Sequence, residues 1–376
     1  MLRKLLIASS TTFAVNAFLS SHIKNLSGDF EIFLVSSSKG GMLLPDVVGL
    51  VKFYDWEIDR KPNFVKDVLL FFKFLPLLLR FRPDCILTVT PKIGVILGIC
   101  GFLVGIRRRV HIFSGQVWHT KTGLPRIFYK LLDTILAKTL TTPLADSSSQ
   151  VKYLEDEKVV PKGRIKVLSS GSICGVDTRK FDINDQLRRE TRDKYGCEDS
   201  TFIVLFLGRM VKDKGVFDAL EAVSNVSSIN KDVCLWMVGP DEDGLTDEIE
   251  SKASSLNVNL NCFGKVAETI PYFSAADLLI LPSKREGFGS VIIEAAACGL
   301  PSLCYRTYGV IDALEDGKTG LLANYCDREH LSKLLQCLIN NRALLRNMSI
   351  NARKRAVEKF DEKILLKELR DAILQR

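Results

Sequence analysis

Two carboxylates, two cations and a set of glycines carry the chemistry legible in this sequence. The segment SKREGFGSVIIEAAACGLP (283–301) places Glu286 in a loop after an apolar strand and Glu294 eight residues on, inside the helix that follows. Gly287 and Gly289 let the backbone approach a ligand closely. The N–H groups of Gly289, Ser290 and Val291 open the helix, where an anion is welcome. Two carboxylates around an anion site suit a ligand with phosphate in its middle and hydroxyls at both ends, the make-up of a nucleotide sugar. Two surface glutamates flanking an ordinary turn are the plainer alternative, since helix starts commonly carry acids. A second segment, LGRMVKDKG (207–215), sets Arg209 and Lys214 between Gly208 and Gly215, again after a strand and before a helix. Cations there make a phosphate clamp, or two solvated charges. The P-loop spacing is absent, and so is a Gly-rich dinucleotide fingerprint after the first strand. A third segment, GSICGVDTRKF (171–181), adds a Gly-rich turn and an acid.

The elements that must position these residues alternate along the whole chain. KLLIAS, FEIFLVS, DCILTV and RRVHIFS read as strands, with helices over 16–26, 64–81, 94–104 and 125–138. The polar run to residue 200 reads as a break, after which TFIVLFLG, DVCLWMVG, VNLNCFG, DLLILPS, LPSLCYR and GLLANY alternate with further helices. Strands alternating with helices of this length build parallel sheets. The expected fold class is α/β, with two doubly wound Rossmann-like domains facing each other across a cleft and ligands at the carboxyl ends of the strands. The expected limits are 1–177 for an N-terminal acceptor- and membrane-facing domain, 178–200 for a linker, 201–358 for a nucleotide-sugar-binding domain, and 359–376 for a C-terminal helix packing back on the first.

Composition narrows the class. The chain has 376 residues, 47% hydrophobic and 26% charged, which excludes a disordered tail, a collagen-like fibre and a multi-span membrane protein. Its net charge of +8 is uneven: residues 1–175 hold 24 Lys/Arg against 13 Asp/Glu, and the remainder is slightly acidic. The first half therefore favours an anionic partner, or carries a simple solubility bias. Ten scattered cysteines with no CxxC pair suit a reducing compartment. The four histidines are too dispersed for a readable zinc site. The basic, apolar start resembles a signal peptide but lacks a clear cleavage site, and reads better as a strand, a Ser/Thr turn and a helix. The apolar run 93–106 is too short to span a bilayer, which takes about 20 residues. In FVKDVLLFFKFLPLLLRFR (64–82), Lys66, Lys73 and Arg80 share one helical face, which suits an anionic membrane surface or a solvated edge. No nucleic-acid-binding motif is present.

In order, GSxxGVD-TxxF, GRxxxxKG and ExFGxxxxEAxAxGxP resemble the retaining glycosyltransferases of family 4, which have the GT-B fold. RVHIFSGQVW (109–118) is similar to bacterial members that build lipid-linked polysaccharide precursors. The resemblance implies that Arg209 and Lys214 clamp the donor diphosphate, with Gly208 beside them. It implies that Glu286 contacts the transferred sugar and Glu294 holds the ribose hydroxyls, with Gly287, Phe288, Gly289, Ser290 and Val291 forming the loop and helix start beneath them. The turn Phe263, Gly264, Lys265, Val266 lies where the family places the base. His111 matches a histidine at a strand end near the donor sugar. His119, after Trp118, and Thr11 and Thr12, in a first loop lacking the family's Gly-Gly, are the acceptor-side candidates.

The implied activity is sugar transfer, with retention of configuration, from a nucleotide sugar, UDP-linked by default, to a polyprenyl-diphosphate-linked saccharide in O-antigen, capsule or exopolysaccharide synthesis. Such a protein would be cytoplasmic and peripheral on the inner face of the cell membrane. No cofactor is expected. Fixed cations and N–H dipoles suffice for the leaving diphosphate, and Asp241–Asp243 reads as an acid-rich helix start rather than a metal motif. A nucleotide-sugar epimerase on a similar fold and a non-catalytic membrane-binding protein are the competing readings.

Overall fold

The computed structural model describes residues 2–59, 63–229 and 232–374. The chain divides after Gly175 and again after Asp361, so one compact unit takes the two outer segments and the other takes Val176–Asp361.

The first unit holds a parallel sheet of β1 (Arg3–Ala8), β2 (Phe30–Ser36), β3 (Val51–Asp55), β4 (Cys85–Thr88), β5 (Arg108–Phe113), β6 (Thr142–Ala145) and β7 (Lys166–Val167), in the order β3-β2-β1-β4-β5-β6-β7. Its central strands read as unbroken apolar runs because both faces are covered. In β1, Leu5 and Ile7 enter one cluster, with helices Ser20–Leu26 and Glu362–Leu374. Leu6 and Ala8 enter the opposite cluster, with helices Phe64–Phe81 and Pro91–Leu103. That division follows from the two-residue period of a strand.

The helix expected over 16–26 is two helices, Thr12–Phe18 and Ser20–Leu26. The Thr11 hydroxyl accepts from the Ala14 N–H and starts the first, and Leu19, at φ −121°, breaks the run. β3, β6 and β7 escape the sequence reading. β3 is a half-exposed edge strand, β6 contains Pro143, and β7 has two residues.

The second unit holds β8 (Phe202–Leu207), β9 (Val233–Val238), β10 (Asn259–Gly264), β11 (Leu278–Leu281), β12 (Ser302–Tyr305) and β13 (Gly320–Ala323), ordered β10-β9-β8-β11-β12-β13. The stretch 178–200, expected as a linker, is part of this unit. It carries helix Asp185–Lys194, capped by the Asn184 side chain. Arg188 pairs with Asp277 at 2.8 Å, and buried Arg192 donates to the carbonyls of Ala275 and Glu198, each at 2.8 Å. A charged sequence is thus drawn inside by guanidinium hydrogen bonds to carbonyls and to Asp277 rather than left as a spacer.

The last two helices separate at residue 361. Arg342–Phe360 belongs to the second unit, and Glu362–Leu374 belongs to the first. There Leu365, Leu369 and Ile373 join the cluster of Ile23 and Leu26, and Arg370 pairs with Asp29 at 2.6 Å.

Each sheet winds outward from its first strand in both directions. The order therefore reverses between β1 and β4 in one unit and between β8 and β11 in the other. Loops leaving the carboxyl ends of those strands diverge and open a crevice.

Candidate functional site

The crevice between β8 and β11 gathers most of the candidate residues. Adjacent strands end there on glycine: Gly208 after β8, Gly239 after β9 and Gly264 at the end of β10. A Cβ on Gly239 would lie 1.8 Å from the Gly208 carbonyl oxygen, so only glycine lets these strand ends close up. Gly215, at φ +73°, does the same between loops, since a Cβ there would meet the Pro282 carbonyl at 2.1 Å. The Lys284 N–H then donates to the Asp213 carbonyl at 2.8 Å, lacing the β8 loop to the β11 loop.

The consequence is a charge pair across the crevice. Lys214 Nζ donates to Glu286 Oε1 at 2.5 Å, with side chains only 19% and 10% exposed. The low exposure makes this a partly desolvated pair and not a surface contact. The helix Ser290–Ala297 starts beside it on Gly289, at φ +89°, which offers no side-chain acceptor to the first N–H groups. They form an uncapped positive helix end next to a lysine. A Cβ on Gly309 would strike the Gly287 carbonyl at 2.3 Å, so the loop after β12 braces this start.

Other candidates take different positions. The Phe288 side chain is buried, its ring 5.3 Å from that of Phe360, and it anchors the loop from below. Half-buried Glu294 accepts from the Cys298 N–H through its backbone carbonyl, while its carboxyl bonds no described residue. Burial pushes its carboxyl up to about 7, against a smaller opposite pull from Lys180. Arg209 pairs with Glu242 at 2.7 Å rather than with Glu286. Asp241 accepts from the Leu245 and Thr246 N–H groups at 2.9 Å each, which hold it down at about 2. Asp241 thus serves loop structure and Glu242 serves Arg209. Among the described residues no group of three His, Cys, Asp or Glu side chains converges as metal ligands. In the turn after β10, Phe263 packs on Tyr195, Trp236 and Tyr272, Gly264 takes φ +59°, Lys265 is exposed and Val266 is half-buried.

In the first unit His111, expected near the donor sugar, and the acceptor-side candidates Thr11, Thr12 and His119 all bond within the fold. His111 lies in mid-strand rather than at a strand end, is 1% exposed, and shares a hydrogen bond of 2.8 Å with Thr88 Oγ1. Its ring fills the space where a Gly94 side chain would stand, and burial lowers its pKa to about 3. It is a neutral core histidine, so contact with a sugar is not what this position offers. Thr12 is buried and donates to the Gly41 carbonyl, while Thr11 caps its helix. His119 Nδ1 bonds Tyr153 Oη at 3.0 Å beside buried Trp118, whose Nε1 donates to Asp133 at 2.8 Å. What does bridge the β1/β4 crevice is Ser10, whose N–H and hydroxyl both reach Thr90 Oγ1 at 3.1 Å.

The sequence reading missed Glu242, Gly239, Gly309, Thr90 and the Trp118–Asp133 pair. Gly239 had a signal, since it follows DVCLWMV as Gly208 follows TFIVLFL. The others had none: Glu242, Gly309 and Thr90 depend on which strand ends become neighbours, and the Trp118–Asp133 pair on how helix Gly123–Thr139 folds back over the loop before it.

Residues 188–355 match the family of group 1 glycosyl transferases. Over 326 residues the chain is 27% identical to the capsular polysaccharide biosynthesis glycosyltransferase CapM of Staphylococcus aureus, covering 85% of each. Among solved structures, HepE of Anabaena in complex with UDP and glucose aligns at TM-score 0.78 with 18% identity over 99% of both chains. WaaG, a glycosyltransferase involved in lipopolysaccharide biosynthesis, aligns at TM-score 0.78 with 16% identity over 99% of this chain and 100% of that one. At such identities these two likenesses speak to the fold, that of GT-B glycosyltransferases.

Proposed function

We propose that this glycosyltransferase, whose residues 188–355 match the family of group 1 glycosyl transferases, moves a sugar from a nucleotide sugar, UDP-linked by preference, to a polyprenyl-diphosphate-linked saccharide, with retention of configuration, in the building of a cell-surface polysaccharide. It would act on the cytoplasmic side, peripheral to the membrane. The observation that carries this reading is the Lys214–Glu286 pair beside the uncapped helix start at Gly289. Kinship to the capsular enzyme supports the pathway class, and the HepE complex with UDP and glucose supports the donor class.

The chemistry follows from charge. Breaking the bond between the sugar's anomeric carbon and the diphosphate leaves positive charge on the ring and negative charge on the departing phosphate oxygens. Fixed donors aimed at that negative charge lower the barrier most where water is excluded. Lys214 and the amides of Gly289, Ser290 and Val291 are placed for this, with Arg209 released from Glu242 as a further cation. Glu286 holds Lys214. An arriving diphosphate draws the ammonium away and frees the carboxylate to accept from sugar hydroxyls. Glu294 accepts from ribose hydroxyls. No metal is required by this scheme, so transfer should survive EDTA; loss of turnover with rescue by a divalent ion would refute that part.

The test is a thermal-shift screen with UDP, GDP and their sugars, followed by transfer assays on the ligands that bind. UDP or GDP should raise the melting temperature of the wild type and not of Lys214→Ala. A wild type blind to every nucleotide diphosphate would end this reading.

A further inference from the structure

Helix Val216–Ser227 begins directly after Gly215, so whatever fixes its first turn also fixes Lys214. That turn holds a charge out of water. Asp218 is 3% exposed and has two partners. Its Oδ2 accepts from the Tyr305 hydroxyl at 3.1 Å, and its Oδ1 pairs with Arg328 Nε at 2.7 Å. Arg328 also donates to Glu221 Oε2 at 2.9 Å, one turn along the same helix. A carboxylate is costly to bury and persists only where such bonds offset its lost hydration. For packing alone, an apolar side chain of similar size would serve as well.

The partners of Asp218 lead to the other loops of the site. Tyr305 is fully buried and ends β12. The loop after it carries Gly309, which packs too closely on the Gly287 carbonyl for a Cβ to fit, and Val310, whose side chain lies beside Gly289. Arg328 opens helix Arg328–Asn340. Three residues before it, the Tyr325 hydroxyl donates to the Lys284 carbonyl at 3.2 Å, in the loop that leads to Glu286. One buried carboxylate thus joins the Lys214 loop to both segments that brace the helix start at Gly289.

We propose that Asp218 is a positioning residue for sugar transfer: with Tyr305 and Arg328 it holds Lys214 and the amides of Gly289, Ser290 and Val291 at the separation where one diphosphate touches both. This rests on the proposed diphosphate site and deepens it, because the group that sets the width of the clamp reaches no ligand itself. Donors fixed in advance need no rearrangement as charge develops on the leaving group. Donors free to drift apart grip a diphosphate one at a time. A single phosphate needs only one of them and is indifferent to their spacing.

The experiment is calorimetric titration of the full chain with UDP and with UMP, or with GDP and GMP if the melting screen selects guanine. The wild type should bind the diphosphate more tightly. Tyr305→Phe keeps the ring and leaves Asp218 one donor short. It should cut the ratio of diphosphate to monophosphate affinity about tenfold, the scale of one hydrogen bond to a charged group, with monophosphate affinity unchanged. Arg328→Ala should do the same, and Arg328→Lys should recover part of the loss, since an ammonium can still meet the carboxylate. Glu221→Gln removes only the second partner of Arg328 and should leave the ratio alone. Lys214→Ala lowers the ratio by itself. Adding Tyr305→Phe to it should lower the ratio no further, because no spacing remains to be held. A merely structural Asp218 would instead show lower melting temperatures and equal losses for both ligands. Wild-type ratios in Tyr305→Phe and Arg328→Ala overturn the proposal, and so does an equal loss from Tyr305→Phe with and without Lys214. A wild type with no preference for the diphosphate ends the reading of the site and this role with it, whereas a preference that the variants leave intact ends this role alone.

Discussion

At the scale of single residues, the site depends on a lysine and a glutamate, Lys214 and Glu286, that hold each other. Lys214→Ala should lower turnover about 100-fold or more, the usual cost of removing a donor aimed at developing negative charge. Glu286→Gln keeps the shape but weakens the grip on the ammonium, so turnover should fall with little change in the melting temperature. Steady-state kinetics with a matched donor distinguish both from Glu294→Gln, which should chiefly raise the donor KM. Glu294 also predicts a pH effect on stability. Its carboxyl titrates near 7 in the fold against 4.5 in the open chain. As pH rises through that interval the unfolded chain gives up a proton the folded one keeps, so Glu294 costs stability progressively from about 4.5 upward. Thermal melts across this range should show Glu294→Gln gaining on the wild type as pH rises; parallel curves would refute the assignment.

At the scale of elements, glycines decide whether strand ends and helices can meet. Gly239→Ala puts a methyl group against the Gly208 carbonyl at the end of β8, and backbone must shift. This variant should melt lower and lose its response to UDP, because the strand ends that aim Arg209 and Lys214 separate. Gly94→Ala is the control. Its methyl would lie 2.5 Å from the His111 ring in the other unit. Overpacking there should cost roughly 1–3 kcal/mol in urea unfolding while the UDP-induced shift persists. A lost shift in Gly94→Ala would mean that His111 and the helix of Gly94 contribute to donor binding after all.

At the scale of the molecule, the first unit completes its core with chain drawn from a distance, while the second is one continuous stretch. Helix Glu362–Leu374 closes the first unit through Leu365, Leu369 and Ile373, and its Glu368 accepts from the Ser169 N–H at 2.6 Å. Truncation after Asp361 removes that cover. Hydrogen exchange should then rise by at least about tenfold over Ser20–Leu26, the helix it packs on, while β8, β9 and β11 keep their protection, since local opening follows lost burial. Uniform loss of protection would show that the two units fold as one cooperative body.

By itself the sequence determined the alternation of strands and helices, because buried parallel strands are unbroken apolar runs and their helices are periodic. It also determined the Lys214 and Glu286 loops, because glycines and charges after a strand are local features. It could not determine neighbours across strands. That Arg209 would meet Glu242, that Thr90 would bridge to Ser10, or that His111 would be sealed beneath Gly94 depends on strand order and register, which no local spacing encodes. Nor could it separate an inward apolar stripe from an outward one in Phe64–Phe81 or Gly123–Thr139, since period alone does not say which side of a helix the sheet will take. The tertiary structure decided these, because burial and charge pairing are properties of what surrounds a residue.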